Sequence, residues 1–89
     1  MDLFYGKRFS KDLDDIQNNP NVKKRLLEAI RKFKEAGSIS DFQGVRKIQG
    51  YSDYFRIKIG DYRLGIKLVQ NGVELIRFLH RKEIYRRFP

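Results

Sequence analysis

The sequence predicts an α+β fold, because its two halves show two different periodicities. In the first half, apolar residues recur at spacings of three and four, which is typical of helices. In the second half they alternate with polar residues, which is typical of strands. With 89 residues, 40% of them hydrophobic and 13% aromatic, the chain suits a single domain spanning residues 1–89.

The first half predicts a strand followed by two helices. Leu3-Phe4-Tyr5 favours a short N-terminal strand, and an apolar stripe from Phe9 to Ile16 predicts the first helix. The second helix begins where Asn19 serves as N-cap and Pro20 occupies the first helical position. Its apolar stripe consists of Val22, Leu26, Ala29, Ile30 and Phe33. We expect Gly37 to be its C-terminal cap, and the short connection predicts an antiparallel helix hairpin.

The second half predicts a meander of three antiparallel strands. Alternation runs from Tyr54 to Ile59 and, after a turn at Gly60-Asp61, from Tyr62 to Leu68. A second turn at Asn71-Gly72 leads into Val73–Leu79. This last segment is apolar on both faces, which predicts an interior strand.

The alternation gives the predicted sheet one apolar face and one basic face. The apolar face packs on the helices and consists of Phe55, Ile57, Ile59, Leu64, Ile66 and Leu68. The opposite face carries Arg56, Lys58, Arg63 and Lys67. The segment Val45–Ile48 either adds a short strand or leads into the sheet.

Positive charge is concentrated in the second half of the chain. The 20 Lys+Arg and 11 Asp+Glu residues give a net charge of +9. Residues 1–44 contribute nine basic and seven acidic residues, a net of +2, whereas residues 45–89 contribute eleven and four, a net of +7. A local basic excess attracts polyanions, of which nucleic acid is the commonest, although a basic surface can also serve solubility alone.

The composition excludes several kinds of site. There is no cysteine and only one histidine, which rules out thiolate chemistry and argues against structural zinc. No phosphate-binding or dinucleotide-binding glycine motif is present, and Asp12, Asp14 and Asp15 are expected on the solvated face of the first helix. We therefore expect no metal and no cofactor. The lack of cysteine, signal peptide and long apolar segment predicts a cytoplasmic protein.

The remaining candidates are Arg, Lys, His and Tyr side chains, which suit chemistry on a phosphodiester. RNA is cut without a metal when its own 2′-hydroxyl attacks the adjacent phosphorus. Arginines stabilise the transition-state charge, and His, Lys or Tyr transfer protons. In the closing stretch FLHRKEIYRRFP, His80 is either a hydrogen-bonded residue at a strand end or an acid–base group. A helical turn over residues 81–87 puts Arg81 and Tyr85 on one face.

Two stretches carry a resemblance to a known family. YFRIKIGDYRLGIKL and NGVELIRFLHRKEIY resemble the RelE/ParE superfamily of bacterial and archaeal toxins from type II toxin–antitoxin systems. The opening strand, the helix hairpin, the GDYR hairpin and the HRKEIY terminus occur in the family's order. The resemblance implies a curled antiparallel sheet that holds a basic cleft, with the two helices on its outer side.

The resemblance also implies functions for particular residues. In the RelE branch the toxin enters the ribosomal A site and cuts mRNA through attack by the 2′-hydroxyl. The positions that match the family's site are Arg56, Lys58, Arg63, His80, Arg81 and Tyr85. Arg63 and Arg81 are expected to bind the scissile phosphate and Tyr85 to orient the flanking nucleotide, while Arg56 and Lys58 bind the backbone or assist proton transfer. Further RNA contacts are expected from Lys47, Lys67, Arg86 and Arg87.

Partners and alternatives follow from the same resemblance. It implies a cognate antitoxin, encoded by the adjacent gene, in a hetero-oligomeric complex. The basic second half suits an acidic, partly disordered partner that folds on binding, and no membrane is expected. Two other functions stay open at this point. One is ParE-like inhibition of DNA gyrase, and the other is a non-catalytic basic domain that binds only RNA or the antitoxin.

Overall fold

The chain forms one five-stranded sheet with helices on both faces, which confirms the predicted α+β class. The computed structural model describes all residues, Met1–Pro89. The elements in chain order are β1 (Asp2–Tyr5), α1 (Lys7–Asp15), α2 (Pro20–Glu35), β2 (Val45–Lys47), β3 (Tyr54–Ile59), β4 (Tyr62–Val69), β5 (Gly72–His80) and α3 (Arg81–Arg87). A short 3₁₀ turn, Ile39–Asp41, lies between α2 and β2.

The strands lie in the order β1-β5-β4-β3-β2. From β2 to β5 the sheet is an antiparallel meander, whereas β1 is parallel to β5. Because β5 lies between β1 and β4, the prediction that this apolar segment is an interior strand is confirmed. The segment Val45–Ile48 contributes β2 at the other edge.

The larger core lies between the sheet and the helices α1 and α2. Its buried members are Phe9, Ile16, Leu26, Phe33, Ile57, Ile59, Leu64, Ile66, Val73, Leu75 and Phe78. Both helical stripes and the predicted apolar face of the meander contribute to it, which confirms the face assignment. Each of these side chains contributes about 1.5–3 kcal/mol through its removal from water.

A smaller core occupies part of the opposite face, where α3 contacts β4 and β5. It consists of Leu79, Ile84 and Phe88, with partly buried Ile48, Tyr54 and Ile76 packed against it. The helical turn predicted for residues 81–87 is confirmed as α3. The face predicted to be basic is therefore shared between charged side chains and a small apolar cluster.

The ends of α2 follow the prediction at the start but not at the finish. The side chain of Asn19 accepts a hydrogen bond from the Val22 N–H, and Pro20 is the first helical residue, as predicted. The prediction of Gly37 as C-terminal cap is wrong, because Ala36 is the cap, with extended backbone. The terminal amino group of Met1 instead donates to the Ala36 carbonyl at 3.0 Å. None of the helices combines the length and the apolar character needed to cross a membrane.

A buried ion pair joins α1 to β5. Asp12 and Arg77 are only 4% and 5% exposed. Arg77 donates to both carboxylate oxygens of Asp12, at 2.9 and 3.0 Å, and the backbone N–H of Phe78 donates to the same carboxylate at 2.8 Å. The pairing of β1 with β5 ends at Leu75, so Asp12 satisfies a backbone donor beyond the reach of β1.

The prediction that all three acids of α1 lie on a solvated face is thus wrong for Asp12 and confirmed for Asp14 and Asp15, which are exposed. The physical reason is the free edge of β5. A helix lying along this edge gains stability when one of its side chains accepts a hydrogen bond from the uncovered backbone of β5. The apolar stripe of α1 does not show that such an acceptor is required.

We predict that Asp12→Ala lowers the free energy of unfolding by about 3–5 kcal/mol, because it leaves Arg77 buried without a counter-charge and the Phe78 N–H without an acceptor. Asp15→Ala is the matched control on the same helix and should change the value by less than about 0.5 kcal/mol. Urea denaturation of both variants measures the difference. Equal stability of the two variants would show that the ion pair has no structural role.

Candidate functional site

A cleft of about 530 Å³ opens on the far face of the sheet beside α3. Its lining residues are Gly44, Arg46, Arg56, Lys58, Arg63 and Tyr85. Three of them come from the β3–β4 hairpin, Arg46 comes from β2, and Tyr85 comes from α3. The cleft therefore contains four of the six residues that the sequence assigned to the site: Arg56, Lys58, Arg63 and Tyr85.

Strand register brings the four cations together. Arg46 lies opposite Arg56 across β2 and β3, and Lys58 lies opposite Arg63 across β3 and β4. Residues directly opposite each other on antiparallel strands project from the same face of the sheet. Since Arg56 and Lys58 are two positions apart on β3, all four side chains share that face.

The charge of this cleft is uncompensated. No acidic residue lines it, and the ion pairs of the molecule involve only Arg31, Arg77, Arg86 and Arg87 among the basic residues. Like charges directly opposite each other on a sheet are destabilising. A bound polyanion would relieve this repulsion, so the arrangement is suited to phosphate groups.

The guanidinium of Arg63 is held by the β3–β4 turn. Its Nη1 donates to the carbonyl oxygens of Gly60 and Tyr62, both at 2.9 Å. The turn itself requires a glycine, because Gly60 adopts φ +60°. These two bonds fix the orientation of Arg63 and leave its Nε and Nη2 groups free for a bidentate contact with phosphate oxygens.

Tyr85 forms the α3 wall of the cleft. Its side chain is exposed, and the Arg56 guanidinium carbon lies 4.4 Å from the centre of its ring. A cation over a tyrosine ring is attracted by the ring quadrupole, by about 0.5–1 kcal/mol at an exposed site. The contact fixes both side chains and leaves the other ring surface available for stacking on a base.

Another concavity of the surface is larger. It measures about 670 Å³ and lies between α2 and β3, where Glu28, Glu35 and Asp41 alternate with basic and apolar side chains. Its mixed charge does not suit a polyanion. Charge therefore identifies the smaller cleft as the better candidate site, although it is not the most voluminous.

His80 lies outside the cleft. Its ring packs edge-on against Tyr62, with centroids 5.6 Å apart, and Tyr62 stacks on Phe78 of the larger core. Its Nδ1 accepts a hydrogen bond from the Lys82 N–H at 3.2 Å, so His80 is the N-cap of α3. Of the two interpretations left open by the sequence, this contact favours the hydrogen-bonded residue at the strand end.

A β-bulge explains why His80 faces the helices. Gly65 pairs with Arg77, whereas the next residue, Ile66, pairs with Leu75, so β5 contains one extra residue. Strict alternation from Val73 would put His80 on the cleft face. The extra residue reverses the faces of all later positions in the strand.

Arg81 lies at the edge of the site. It does not line the cleft, its side chain is exposed, and its backbone N–H donates to the Asp61 carbonyl at 2.8 Å. Arg63 is bound to the same turn. Because α3 is helical, Arg81 and Tyr85 lie on one side of it, as the sequence predicted.

The four other residues expected to contact RNA are not part of the cleft. Lys47 pairs with Phe55, which contacts the larger core, and so it projects from the helix-facing side. Lys67 lies over the ring of Tyr54 at 5.5 Å. Arg86 and Arg87 pair with Glu83 on the surface of α3, at 2.8 and 3.8 Å.

Arg46 is the cleft residue that sequence reasoning misses. Lys47 is predicted in its place, although both belong to the segment Val45–Ile48. The alternation of residues 45–47 is a usable signal in the sequence, because an apolar Val45 is expected to face the core and Arg46 then projects from the other face. In the structure Val45 does contact the larger core.

Comparison with known proteins gives a consistent family. A family model described as the ParE toxin of the parDE type II toxin–antitoxin system matches residues 3–85. A protein named Toxin RelE3, from Methanocaldococcus jannaschii, is 36% identical over an alignment of 90 positions that covers 100% of each chain.

Solved structures give the same result. The chain aligns with the RelB–RelE antitoxin–toxin complex from Methanococcus jannaschii at TM-score 0.79 and 34% identity, with 97% of this chain and 99% of the other covered. The YoeB dimer from Staphylococcus aureus aligns at TM-score 0.73 and 14% identity, over 91% and 97% of the two chains. The E. coli DinJ–YafQ complex aligns at TM-score 0.69 and 19% identity, over 94% and 97%.

The last two similarities support the fold, whereas the family model and the archaeal relative define the family. Both agree with the resemblance carried by the GDYR hairpin and the HRKEIY terminus. The chain belongs to the RelE/ParE superfamily and is a toxin of the type II toxin–antitoxin class.

Proposed function

We propose that the protein is an endoribonuclease that inhibits translation by cutting mRNA in the ribosomal A site, without a metal or cofactor. The observation that carries the proposal is the cleft, in which four cations without a counter-charge surround an exposed tyrosine. The full-length similarity to a protein named Toxin RelE3 supports the RelE-like assignment.

In the proposed reaction, the 2′-hydroxyl of one nucleotide attacks the adjacent phosphorus. A new 2′-oxygen–phosphorus bond forms, the bond to the 5′-oxygen breaks, and the products are a 2′,3′-cyclic phosphate and a 5′-hydroxyl. The proton lost by the 2′-hydroxyl is balanced by the one that the 5′-oxygen gains. The transition state carries extra negative charge on the non-bridging oxygens, which fixed cations stabilise.

Arg63 suits the contact with the scissile phosphate, because its orientation is fixed by two carbonyl groups before RNA binds. A donor that needs no reorganisation stabilises a transition state better than a mobile one. Arg81, at the same turn, is assigned to the scissile or the next phosphate. Arg46 and Arg56 are assigned to the RNA backbone on the β2 side of the cleft.

Lys58 and Tyr85 are the titratable side chains that line the cleft besides its arginines, and we assign proton transfer to them. Tyr85 also stacks on the flanking base, for which its 64% exposure leaves room. We assign a structural role to His80: it holds the start of α3 in place, because its Nδ1 accepts the hydrogen bond from the Lys82 N–H.

Lys47, Lys67, Arg86 and Arg87 are assigned to contacts with RNA or the ribosome outside the cleft. Phosphate contacts of this kind raise affinity for any sequence and weaken as salt increases. Their positions outside the cleft agree with a role in binding and not in the reaction.

The proposed partner in the cell is a cognate antitoxin that is acidic and partly disordered. A solved structure that aligns with this chain at 34% identity is that of a RelB–RelE antitoxin–toxin complex, and the +7 charge of residues 45–89 complements an acidic chain. Because ribosomes and mRNA are the proposed targets, we propose that the protein acts in the cytoplasm.

A second candidate function is inhibition of DNA gyrase, which the match to the ParE toxin family model favours. The two functions differ in what they damage. A ribonuclease leaves cut messages, whereas a gyrase inhibitor leaves messages intact and blocks DNA supercoiling.

We predict that induced wild-type protein cuts a reporter message, as mapped by primer extension, and that Arg63→Ala lowers the rate about 10²–10³-fold through loss of transition-state stabilisation. Arg31→Ala removes the same charge from the outer surface of α2, where the side chain is 62% exposed, and should cut normally. Thermal unfolding confirms that each variant is folded.

Intact messages with blocked supercoiling in wild-type cells would replace this proposal with gyrase inhibition. Intact messages with normal supercoiling and normal growth would identify a protein that only binds. Equal cutting by Arg63→Ala and wild type would remove Arg63 from the proposed site.

A separate prediction concerns His80. His80→Asn keeps an N-cap acceptor but cannot transfer a proton near neutral pH, so it should retain cutting within about threefold and stability within about 0.5 kcal/mol. His80→Ala loses the cap and about 1 kcal/mol of stability. Loss of cutting in a stable His80→Asn protein would instead assign acid–base chemistry to this residue.

A further inference from the structure

The aromatic ring of Phe88 lies directly on the backbone of Gly65. A Cβ atom added at Gly65 would be 2.8 Å from three ring carbons, Cδ1, Cδ2 and Cε2. Phe88 is 5% exposed, and its ring centroid is 5.8 Å from that of Tyr54. Only glycine at position 65 leaves space for the ring at this depth.

Gly65 belongs to the strand that carries Arg63 and pairs with Arg56 across β3 and β4. Phe88 therefore contacts the sheet beside the wall of the cleft. Arg56 in turn contacts the ring of Tyr85 at 4.4 Å. The ring of Phe88 thus fills a slot over Gly65. This contact and the contact of Tyr85 with Arg56 both join the β3–β4 pair to the segment formed by α3 and Phe88.

Phe88 is connected rigidly to the helix that carries Tyr85. Its backbone N–H donates to the carbonyl of Ile84 at 3.0 Å, which continues the helical hydrogen bonding to the end of α3. Ile84 is fully buried, whereas Tyr85 is 64% exposed. A displacement of Phe88 must move this backbone, and the exposed Tyr85 ring, which is held by its contact with Arg56, moves with it.

We propose that Gly65 and Phe88 form a positioning pair that sets the place of Tyr85 over Arg56 in the cleft. The inference rests on the proposed ribonuclease function for its kinetic consequences, but not for its geometry. Neither residue touches RNA, and both act through α3.

The size of the effect follows from the distances. Ordinary van der Waals contact begins at 3.4 Å, so an added methyl at position 65 must displace the Phe88 ring by about 0.6 Å. Misplacement of a reacting group by about 1 Å costs up to about a hundredfold in rate. We expect Gly65→Ala to lower kcat about 10- to 100-fold, with KM changed less than about threefold.

The test compares four proteins: wild type, Gly65→Ala, Phe88→Val and the double variant. Valine lacks the three ring carbons that meet the added methyl, so the double variant restores room in the slot. If the two positions act through one contact, the double variant is more active than Gly65→Ala alone. The control is Gly37→Ala, since that glycine has open space around it and does not adopt a positive φ.

The first readout is kcat and KM for cutting of a ribosome-bound message, with thermal unfolding measured in parallel. The second is ¹⁹F NMR of protein containing fluorotyrosine, in which the Tyr85 resonance is assigned with Tyr85→Phe. We expect the Tyr85 resonance to shift in Gly65→Ala, to return toward the wild-type position in the double variant and to stay unchanged in Gly37→Ala.

An unchanged Tyr85 resonance together with unchanged kcat in Gly65→Ala would overturn the inference. A loss of activity that tracks the melting temperature, without rescue in the double variant, would overturn it as well, since that is the behaviour of a merely structural contact. If wild-type protein cuts no message, the proposed function fails, and the NMR comparison still decides whether the pair positions Tyr85.

Discussion

The carboxylate of Asp12 is the contact on which the arrangement of the molecule depends. It lies where β1 no longer covers β5 and accepts three hydrogen bonds, two from Arg77 and one from the Phe78 backbone. Two residues later β5 ends and α3 begins. The position of α3, and with it Tyr85, therefore depends on how firmly α1 holds this part of β5.

A buried ion pair of this kind adds little net stability, because the cost of removing both charges from water offsets most of their attraction. It nevertheless lies where the register of β5 changes, since the bulge near Gly65 and Ile66 occurs next to Arg77. That register directs Leu79 toward α3 and His80 toward the helices on the other face.

The same face of the sheet carries both a small core and the candidate cleft. One part is covered by Leu79, Ile84 and Phe88, and the neighbouring part presents four cations without counter-charges. The repulsion between these like charges lowers the stability of the unbound domain. An anionic partner would stabilise the folded state by binding to it. The charge that makes the cleft suitable for RNA also makes it suitable for an acidic antitoxin.

The sequence predicted the parts of the site that depend on local periodicity. Alternation along β3 and β4 was sufficient to place Arg56, Lys58 and Arg63 on one face. His80, which the family resemblance assigned to the site, lies outside the cleft because a single extra residue in β5 reverses the face of the later positions. The apolar stripe of α1 did not reveal that Asp12 is buried, because its partner Arg77 is 65 residues away. Arg46 was missed although it alternates with Val45, because β2 has only three residues and so short a run does not establish a strand. The residues that local patterns missed are those fixed by contacts distant in the sequence, and family resemblance identified Tyr85 where periodicity alone did not.

The mechanism proposed for this cleft is cleavage of RNA through the RNA's own 2′-hydroxyl. It is tested with a ribosome-bound message that carries one 2′-deoxynucleotide immediately 5′ of the mapped cleavage site. We predict that cutting at this position stops, while the all-RNA message is cut to a 2′,3′-cyclic phosphate and a 5′-hydroxyl. Continued cutting of the deoxy-substituted message would contradict the mechanism.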